Sequence, residues 1–133
     1  MVQMSMDGKD SVIGGELRSR MAGVQRTEEG RYSCSIDFDP AFRGFEGHFP
    51  GNPIVPGVCL IEAGRVFAEE VLKRALTTRS VTQCRFRRPV FAGERAELKI
   101  KLEEEAEDLW KIQADIRVGG SVCAQVRLKA GAL

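Results

Sequence analysis

The sequence predicts an α+β fold in which about six antiparallel strands wrap around one long central helix. Four segments with alternating apolar and polar residues, and one segment with apolar residues at helical spacing, support this prediction. The chain has 133 residues, of which 43% are hydrophobic and 29% charged, as is ordinary for one globular domain. Residues 1–15 lack any periodicity, so we expect a flexible N-terminal tail there and a single domain over residues 16–133.

The four alternating segments predict strands that each have one buried face and one solvent-exposed face, which is typical of an antiparallel sheet. Two weaker strands are expected near residues 16–26 and 80–88. Gly119 and Gly120 predict a short hairpin, and the acidic residues 103–108 predict a solvated turn. The apolar positions of the four strands are, in chain order, Tyr32, Cys34, Ile36 and Phe38; Ala96, Leu98, Ile100 and Leu102; Trp110, Ile112, Ala114, Ile116 and Val118; and Val122, Ala124, Val126 and Leu128.

The helical segment runs from Gly57 to about Leu76, between the second and third predicted strands. Its apolar residues recur three or four positions apart, as on one buried helix face. Twenty residues would give a helix of roughly 30 Å. One helix covers one face of one sheet and leaves the sheet edges open, so pairing with a second copy is expected.

Composition excludes several functional classes. A formal net charge of +1 argues against a nucleic-acid partner, and the chain has no apolar run long enough to span a membrane. His48 is the only histidine, so one chain cannot build a multi-histidine metal site. We expect reduced thiols in a cytoplasmic protein, because the start of the chain has no secretory signal and the cysteines have no metal-binding spacing. The cysteines are Cys34, Cys59, Cys84 and Cys123.

Residues 44–57, GFEGHFPGNPIVPG, form the most informative stretch. It contains four glycines, three prolines and His48, so its backbone is expected to adopt a defined conformation rather than a flexible one. It leads directly into the predicted helix, where the amides of Gly57 and Val58 lack partners within the helix and can hold an oxyanion. Glu62 follows in the second turn.

These groups suit proton removal next to a thioester carbonyl, which needs a base, an oxyanion site and an acid for the leaving group. His48 is a candidate base, and Glu62 could protonate a departing β-hydroxyl. Simpler interpretations remain open. A single loop histidine is often structural, and Glu62 begins a polar stripe with Arg65, Glu69 and Lys73, so it could be a solvated residue paired with Arg65.

The segment FEGHFPGNPIVPGVCLIEA resembles the active-site segment of the 3-hydroxyacyl-acyl-carrier-protein dehydratases, which have the hot-dog fold. Those enzymes carry a GHFP-x-x-P-x-x-PG stretch, which residues 47–57 match here, and a catalytic carboxylate at the position of Glu62, fourteen residues after His48. A second stretch, CRFRRPVFAGE at residues 84–94, is similar to the strand that follows the helix in that family. The resemblance covers residues 42–101.

The resemblance implies a homodimer, or a trimer of dimers, with active sites shared between two chains and no cofactor or metal. His48 would abstract the α-proton, Glu62 would act on the β-hydroxyl, and the Gly57 amide would hold the thioester oxygen. The acyl chain would lie in a tunnel at the interface. Further candidate site or tunnel residues, which packing in the core explains as well, are Phe49, Cys59, Phe86 and Val90.

Two departures from the family pattern concern the substrate more than the chemistry. The helix reads EAGRV, so Val66 stands where the family has glutamine, and the N-terminal third lacks the PFLLVDR-like segment. A specialised relative in aryl polyene, polyketide or other secondary acyl assembly is therefore a serious alternative. Arg65 could alter substrate preference, or pair with Glu62 and weaken it as an acid.

Charge is unevenly distributed. Residues 79–101 hold seven basic and two acidic side chains, whereas residues 102–116 hold one basic and six acidic side chains. Acyl carrier proteins are acidic, so a basic patch at a tunnel mouth would attract one. Arg85, Arg87 and Arg88 are the candidate carrier-binding residues, although a solvated strand face explains them as well.

Two other functions remain open on the same fold. The first is thioester hydrolysis of acyl-CoA or acyl carrier protein, which the GHFP sequence disfavours. The second is a non-catalytic acyl-binding or assembly subunit, in which Arg65 locks Glu62.

Overall fold

A computed structural model describes residues 12–46 and 51–132. Six strands form one antiparallel sheet in the order β1-β2-β4-β5-β6-β3, which confirms the predicted α+β fold. The elements are α1 (Val12–Arg20), β1 (Met21–Glu28), β2 (Arg31–Phe38), a 3-10 turn (Arg43–Phe45), α2 (Gly57–Leu72), β3 (Leu76–Phe86), β4 (Glu94–Ala106), β5 (Leu109–Val118) and β6 (Ser121–Ala132).

Helix α2 packs on the inner face of the sheet. The alternating positions predicted from the sequence supply that face, with Leu98, Ile112 and Leu128 fully buried. At Gly64 the helix backbone lies so close to β5 that an added Cβ would be 3.3 Å from the Cβ of Ala114. The core therefore lies between α2 and the inner face of strands β2 to β6.

Helix α2 is shorter than predicted. It has sixteen residues and ends at Leu72. The next residue, Lys73, caps the helix in a left-handed conformation and donates its N–H to the Glu69 carbonyl at 2.8 Å. At 1.5 Å per residue the helix is about 24 Å long. Leu76, the predicted helix end, instead opens strand β3 and is fully buried.

The N-terminal prediction was wrong at residues 12–20, which form helix α1 instead of the end of a tail and the start of a strand. Leu17 is fully buried, and Arg18 reaches across to Glu69 and Glu70 on α2. The tertiary contacts thus stabilise a helix whose own apolar pattern is weak. Residues 12–46 and 51–132 thus contain two α-helices where the sequence predicted one.

The two turns between β4, β5 and β6 are tight. Gly119 and Gly120 both have positive φ and form the predicted two-residue hairpin. The acidic stretch differs from the prediction, because residues 103–106 continue β4 and leave Glu107 and Asp108 as the turn. Lysine side chains from β5 and β6 face the strand carboxylates, with Lys129 Nζ 3.0 Å from Glu105 Oε2. No helix within the described ranges is both long and apolar enough to cross a membrane.

Candidate active site

The loop that enters α2 is fixed to the turn that follows β3. The Val55 N–H donates to the Val90 carbonyl at 2.8 Å, and the Ala92 N–H donates to the Pro53 carbonyl at 3.1 Å. These bonds join the two sequence stretches, residues 47–57 and 84–94, that are informative about function. They also fix the position at which α2 begins.

Helix α2 starts at Gly57, after Pro56 at the cap position. Pro56 makes no side-chain capping hydrogen bond, and its carbonyl accepts the first helical bond, from the Cys59 N–H at 2.9 Å. The amides of Gly57 and Val58 precede that bond, so they carry the partial positive charge of a helix start. A larger residue at position 57 would displace the Phe86 ring, because an added Cβ on Gly57 would lie 2.6 Å from Cζ of Phe86.

An apolar cavity of about 370 Å³ opens beside the helix start. It brings together five residues singled out from the sequence, namely Gly57, Phe86, Arg87, Arg88 and Val90. Phe86 is 54% exposed at the mouth, whereas Val90 is fully buried at the wall. Sequence reasoning missed the other apolar wall residues, which are Ile54, Val55, Leu60 and Pro89.

Of the other predicted site residues, two lie outside the described part of the chain and two lie on the first turn of α2, close to the cavity. His48 and Phe49 lie outside the described residues. Val58 is half-exposed beside the cavity. Cys59 points into the core, where burial, with a smaller contribution from the charge of Glu62, raises the pKa of its thiol to about 11. Cys59 is therefore a neutral packing group rather than a reactive thiol.

Glu62 is buried, and its carboxylate is held by an arginine. Arg65 donates from Nε to Glu62 Oε1 at 2.9 Å and from Nη2 to Glu62 Oε2 at 2.7 Å. The interpretation of this stripe as solvated is wrong for Glu62, Arg65 and Glu69, which are 3%, 1% and 5% exposed. The predicted pairing is present, but helix α1 packs against α2 and the pair lies inside the protein. Glu62 does not line the apolar cavity of its own chain.

The three candidate carrier-binding arginines have two different environments. Arg85 and Arg87 lie on the outer face of the sheet with Arg127, along a polar groove of about 530 Å³. The Arg87 side chain also borders the apolar cavity and donates to Gln125 Oε1 at 3.1 Å. Arg88 instead binds Glu94, with Nη2 2.9 Å from Oε2, and holds the turn before β4.

The Arg88–Glu94 pair predicts a pH dependence of stability. The hydrogen bond from Arg88, supported by the Phe91 N–H, holds the pKa of Glu94 below its usual value although burial opposes this. Because the folded-state pKa is depressed, the stabilisation is complete above the unfolded-state pKa of about 4.3 and is lost as pH falls through the folded-state pKa. Glu94→Gln should therefore be less stable than the wild type at pH 7, and the difference should shrink under acid.

The measurement is the melting temperature of both proteins between neutral and acidic pH. Glu97→Gln is a matched control, because Glu97 is an exposed residue of the same strand. Curves for Glu94→Gln and the wild type that stay parallel throughout would contradict the role given to Glu94.

A long helix packed inside a six-stranded antiparallel sheet, entered through a glycine- and proline-rich loop and carrying a buried glutamate in its second turn, is the architecture of a hot-dog protein. The model of the ApeI-like family, described as ApeI dehydratase, matches residues 24–125. The chain belongs to this family, because the match covers most of its length.

Curated relatives carry the name 3-hydroxyacyl-[acyl-carrier-protein] dehydratase FabZ. The protein of Rhizobium rhizogenes is 37% identical over 93 residues, which cover 65% of this chain and 59% of the relative. The protein of Campylobacter curvus is 31% identical over 99 residues, which cover 65% of this chain and 67% of the relative. The chain thus spans about three fifths to two thirds of the length of these relatives.

Solved structures agree on the fold. A chain of the dehydratase heterocomplex ApeI:P from Xenorhabdus doucetiae superposes with a TM-score of 0.68 at 23% identity, covering 84% of this chain and 96% of that one. The PaaI protein from the phenylacetic acid degradation operon of E. coli gives a TM-score of 0.61 at 16% identity, covering 81% and 80%. At these identities the likeness supports the hot-dog fold alone.

Proposed function

We infer that the protein dehydrates a 3-hydroxyacyl thioester, carried on acyl carrier protein, to the trans-2-enoyl thioester. The observation that carries this inference is the match to the ApeI-like dehydratase family over residues 24–125, a range that contains both His48 and Glu62. The FabZ relatives, named for the same reaction on acyl carrier protein, support the substrate class. The absence of a metal-binding or disulfide cysteine pattern fits a cytoplasmic enzyme.

In the proposed reaction, His48 takes the proton from the carbon next to the thioester carbonyl. The amide of Gly57 hydrogen-bonds to the carbonyl oxygen as negative charge develops there. The carboxyl group of Glu62 donates a proton to the hydroxyl, the bond between the β-carbon and that oxygen breaks, the carbon–carbon double bond forms, and water leaves. The proton that His48 took from the α-carbon then replaces the one that Glu62 gave, so both groups return to their starting states. The apolar cavity beside Gly57 receives the start of the acyl chain.

We propose that the active form is a homodimer with two shared sites, each built from His48 of one chain and Glu62 of the other. Strand β3 supports this arrangement, because it is an edge of the described sheet and leaves Val81 and Phe86 43% and 54% exposed. Light scattering distinguishes a dimer from a trimer of dimers and from a monomer, and a monomer would contradict the shared site.

The central experiment follows the absorbance of the 2-enoyl product after addition of a 3-hydroxyacyl thioester, on acyl carrier protein and on coenzyme A. A panel of short, long and aryl-containing acyl chains identifies the pathway class. Release of free thiol without enoyl product would indicate a thioesterase. Binding without turnover would indicate a non-catalytic acyl-binding or assembly subunit.

We expect Arg85 and Arg87 to act in carrier docking. Replacing both with glutamine should raise KM for the carrier-bound substrate by about tenfold and reduce its salt dependence, because surface arginines attract an acidic partner over long range. The value of kcat should not change. Arg88→Gln is assayed separately, since its contact with Glu94 couples docking to the stability of the turn.

Two controls accompany this test. Arg26→Gln removes an exposed arginine from β1, at the opposite edge of the sheet, and should have no effect. A short thioester without the carrier should give equal KM values for Arg85→Gln, whose arginine lies away from the apolar cavity, and for the wild type. An equal loss with both substrates would contradict a role in carrier docking.

A further inference from the structure

The candidate catalytic glutamate belongs to a buried network whose central residue is Arg65. Every guanidinium nitrogen of Arg65 makes a hydrogen bond or ion pair to oxygen. Nε and Nη2 bind the two oxygens of Glu62, while Nη1 lies 2.8 Å from Glu69 Oε2 and 3.1 Å from the Leu76 carbonyl oxygen. With 1% of its side chain exposed, Arg65 exchanges none of these contacts for water.

The far side of Arg65 is itself fixed. Glu69 Oε2 accepts a hydrogen bond from the Leu76 N–H at 2.7 Å, and Glu69 Oε1 accepts one from Arg18 Nη2 at 2.8 Å. The Arg65 guanidinium is therefore held by the start of β3 and, through Glu69, by α1. Two parallel bonds from a fixed planar group set both the position and the plane of the Glu62 carboxylate.

We propose that Arg65 is a positioning residue, which holds the carboxylate of Glu62 in the orientation needed to act on the β-hydroxyl of the substrate. This inference rests on the proposed dehydratase function. A flexible glutamate in a buried site would rotate towards other donors, and a displacement of about 1 Å at a reacting group can cost about 100-fold in rate. Arg65 acts on the reaction through Glu62 and needs no contact with the substrate.

The test compares Arg65→Gln and Arg65→Lys with the wild type in the enoyl-product assay. Arg65→Gln should lower kcat about 100-fold while KM stays near the wild-type value, because orientation is lost but the acyl cavity is intact. Arg65→Lys keeps the positive charge but lacks the planar guanidinium that makes two parallel hydrogen bonds, so its kcat should lie between those of Arg65→Gln and the wild type. Arg20→Lys is the matched control, since Arg20 also binds two carboxylates, Glu16 and Asp39, outside the network.

The near-ultraviolet circular dichroism of the single tryptophan, Trp110, gives the folded fraction by which each kcat is corrected. A merely structural role would reduce the folded fraction and leave the corrected kcat unchanged, which would overturn the proposal. If Arg65→Gln does not fold, Arg65→Lys alone tests the proposal. A wild-type kcat in Arg65→Lys would then overturn the positioning role. A gain in turnover on removing Arg65 would mean that the arginine inhibits Glu62, and also overturns it.

Failure of the underlying function is a separate result. Wild-type protein that dehydrates no 3-hydroxyacyl thioester in the panel overturns the dehydratase proposal, and the positioning role with it, before any variant is assayed. An active wild type with an unaffected Arg65→Lys overturns the positioning role alone.

Discussion

Glu62→Gln is expected to abolish most dehydration activity while the protein remains folded. The amide is the same size as the carboxylate and can still accept a hydrogen bond from Arg65, but it can neither donate nor receive the proton of the leaving hydroxyl. A positioned acid or base contributes about 10²–10⁴-fold to rate, and we expect a loss of kcat in that range. His48→Ala should lose a similar factor, because it removes the base that starts the reaction.

The measurement is the rate of enoyl product formation per folded dimer, with light scattering and circular dichroism as checks on assembly. A mixture of His48→Ala and Glu62→Gln chains is the sharpest control. If each site combines His48 of one chain with Glu62 of the other, a mixed dimer contains one intact site and regains activity. A near-wild-type rate in either single variant would remove that residue from the mechanism.

Phe67→Ala is expected to be the most destabilising single substitution in the core. Phe67 is fully buried in the middle of α2 and belongs to the apolar cluster between that helix and the sheet. Truncating a buried phenylalanine removes apolar contacts and leaves a cavity, at a cost of about 3–5 kcal/mol. Urea unfolding at fixed protein concentration measures the difference in the free energy of unfolding.

Val24→Ala serves as the comparison for Phe67→Ala. Val24 is 49% exposed on the edge strand β1, so its truncation should change the free energy of unfolding by no more than about 0.5 kcal/mol. Equal losses in the two variants would show that the buried cluster around α2 does not dominate the stability of the fold.

The strands were predictable because their signal is local. Residues such as Leu98 and Ile100 alternate with lysines and glutamates, and a period of two forces them onto one face of any extended chain. Gly119 and Gly120 likewise identify their turn, since both need positive φ. Helix α1 was missed because Gly14 and Gly15 weaken its helical pattern, and its stability depends on Leu17 and Arg18 reaching distant partners.

For the candidate site, the sequence supplied the residues but not their surroundings. The spacing of Glu62, Arg65 and Glu69 shows that they share one helix face. The same spacing fits a solvated stripe and a buried network equally well, because helical periodicity says nothing about what covers a face. The contact between Gly57 and Phe86 was also invisible, since it joins residues 29 positions apart.

The sequence by itself therefore determined the antiparallel strands, the helix that starts at Gly57, and the placement of a carboxylate in its second turn. Only the tertiary structure decided that this carboxylate is buried, that Arg65 holds both of its oxygens, and that Glu69 and the start of β3 fix Arg65 in turn. The physical reason is that period and turn chemistry act between neighbours in the chain. Burial and ion pairing depend on which distant surface packs against each face, and here α1 and the start of β3 pack against that side of α2.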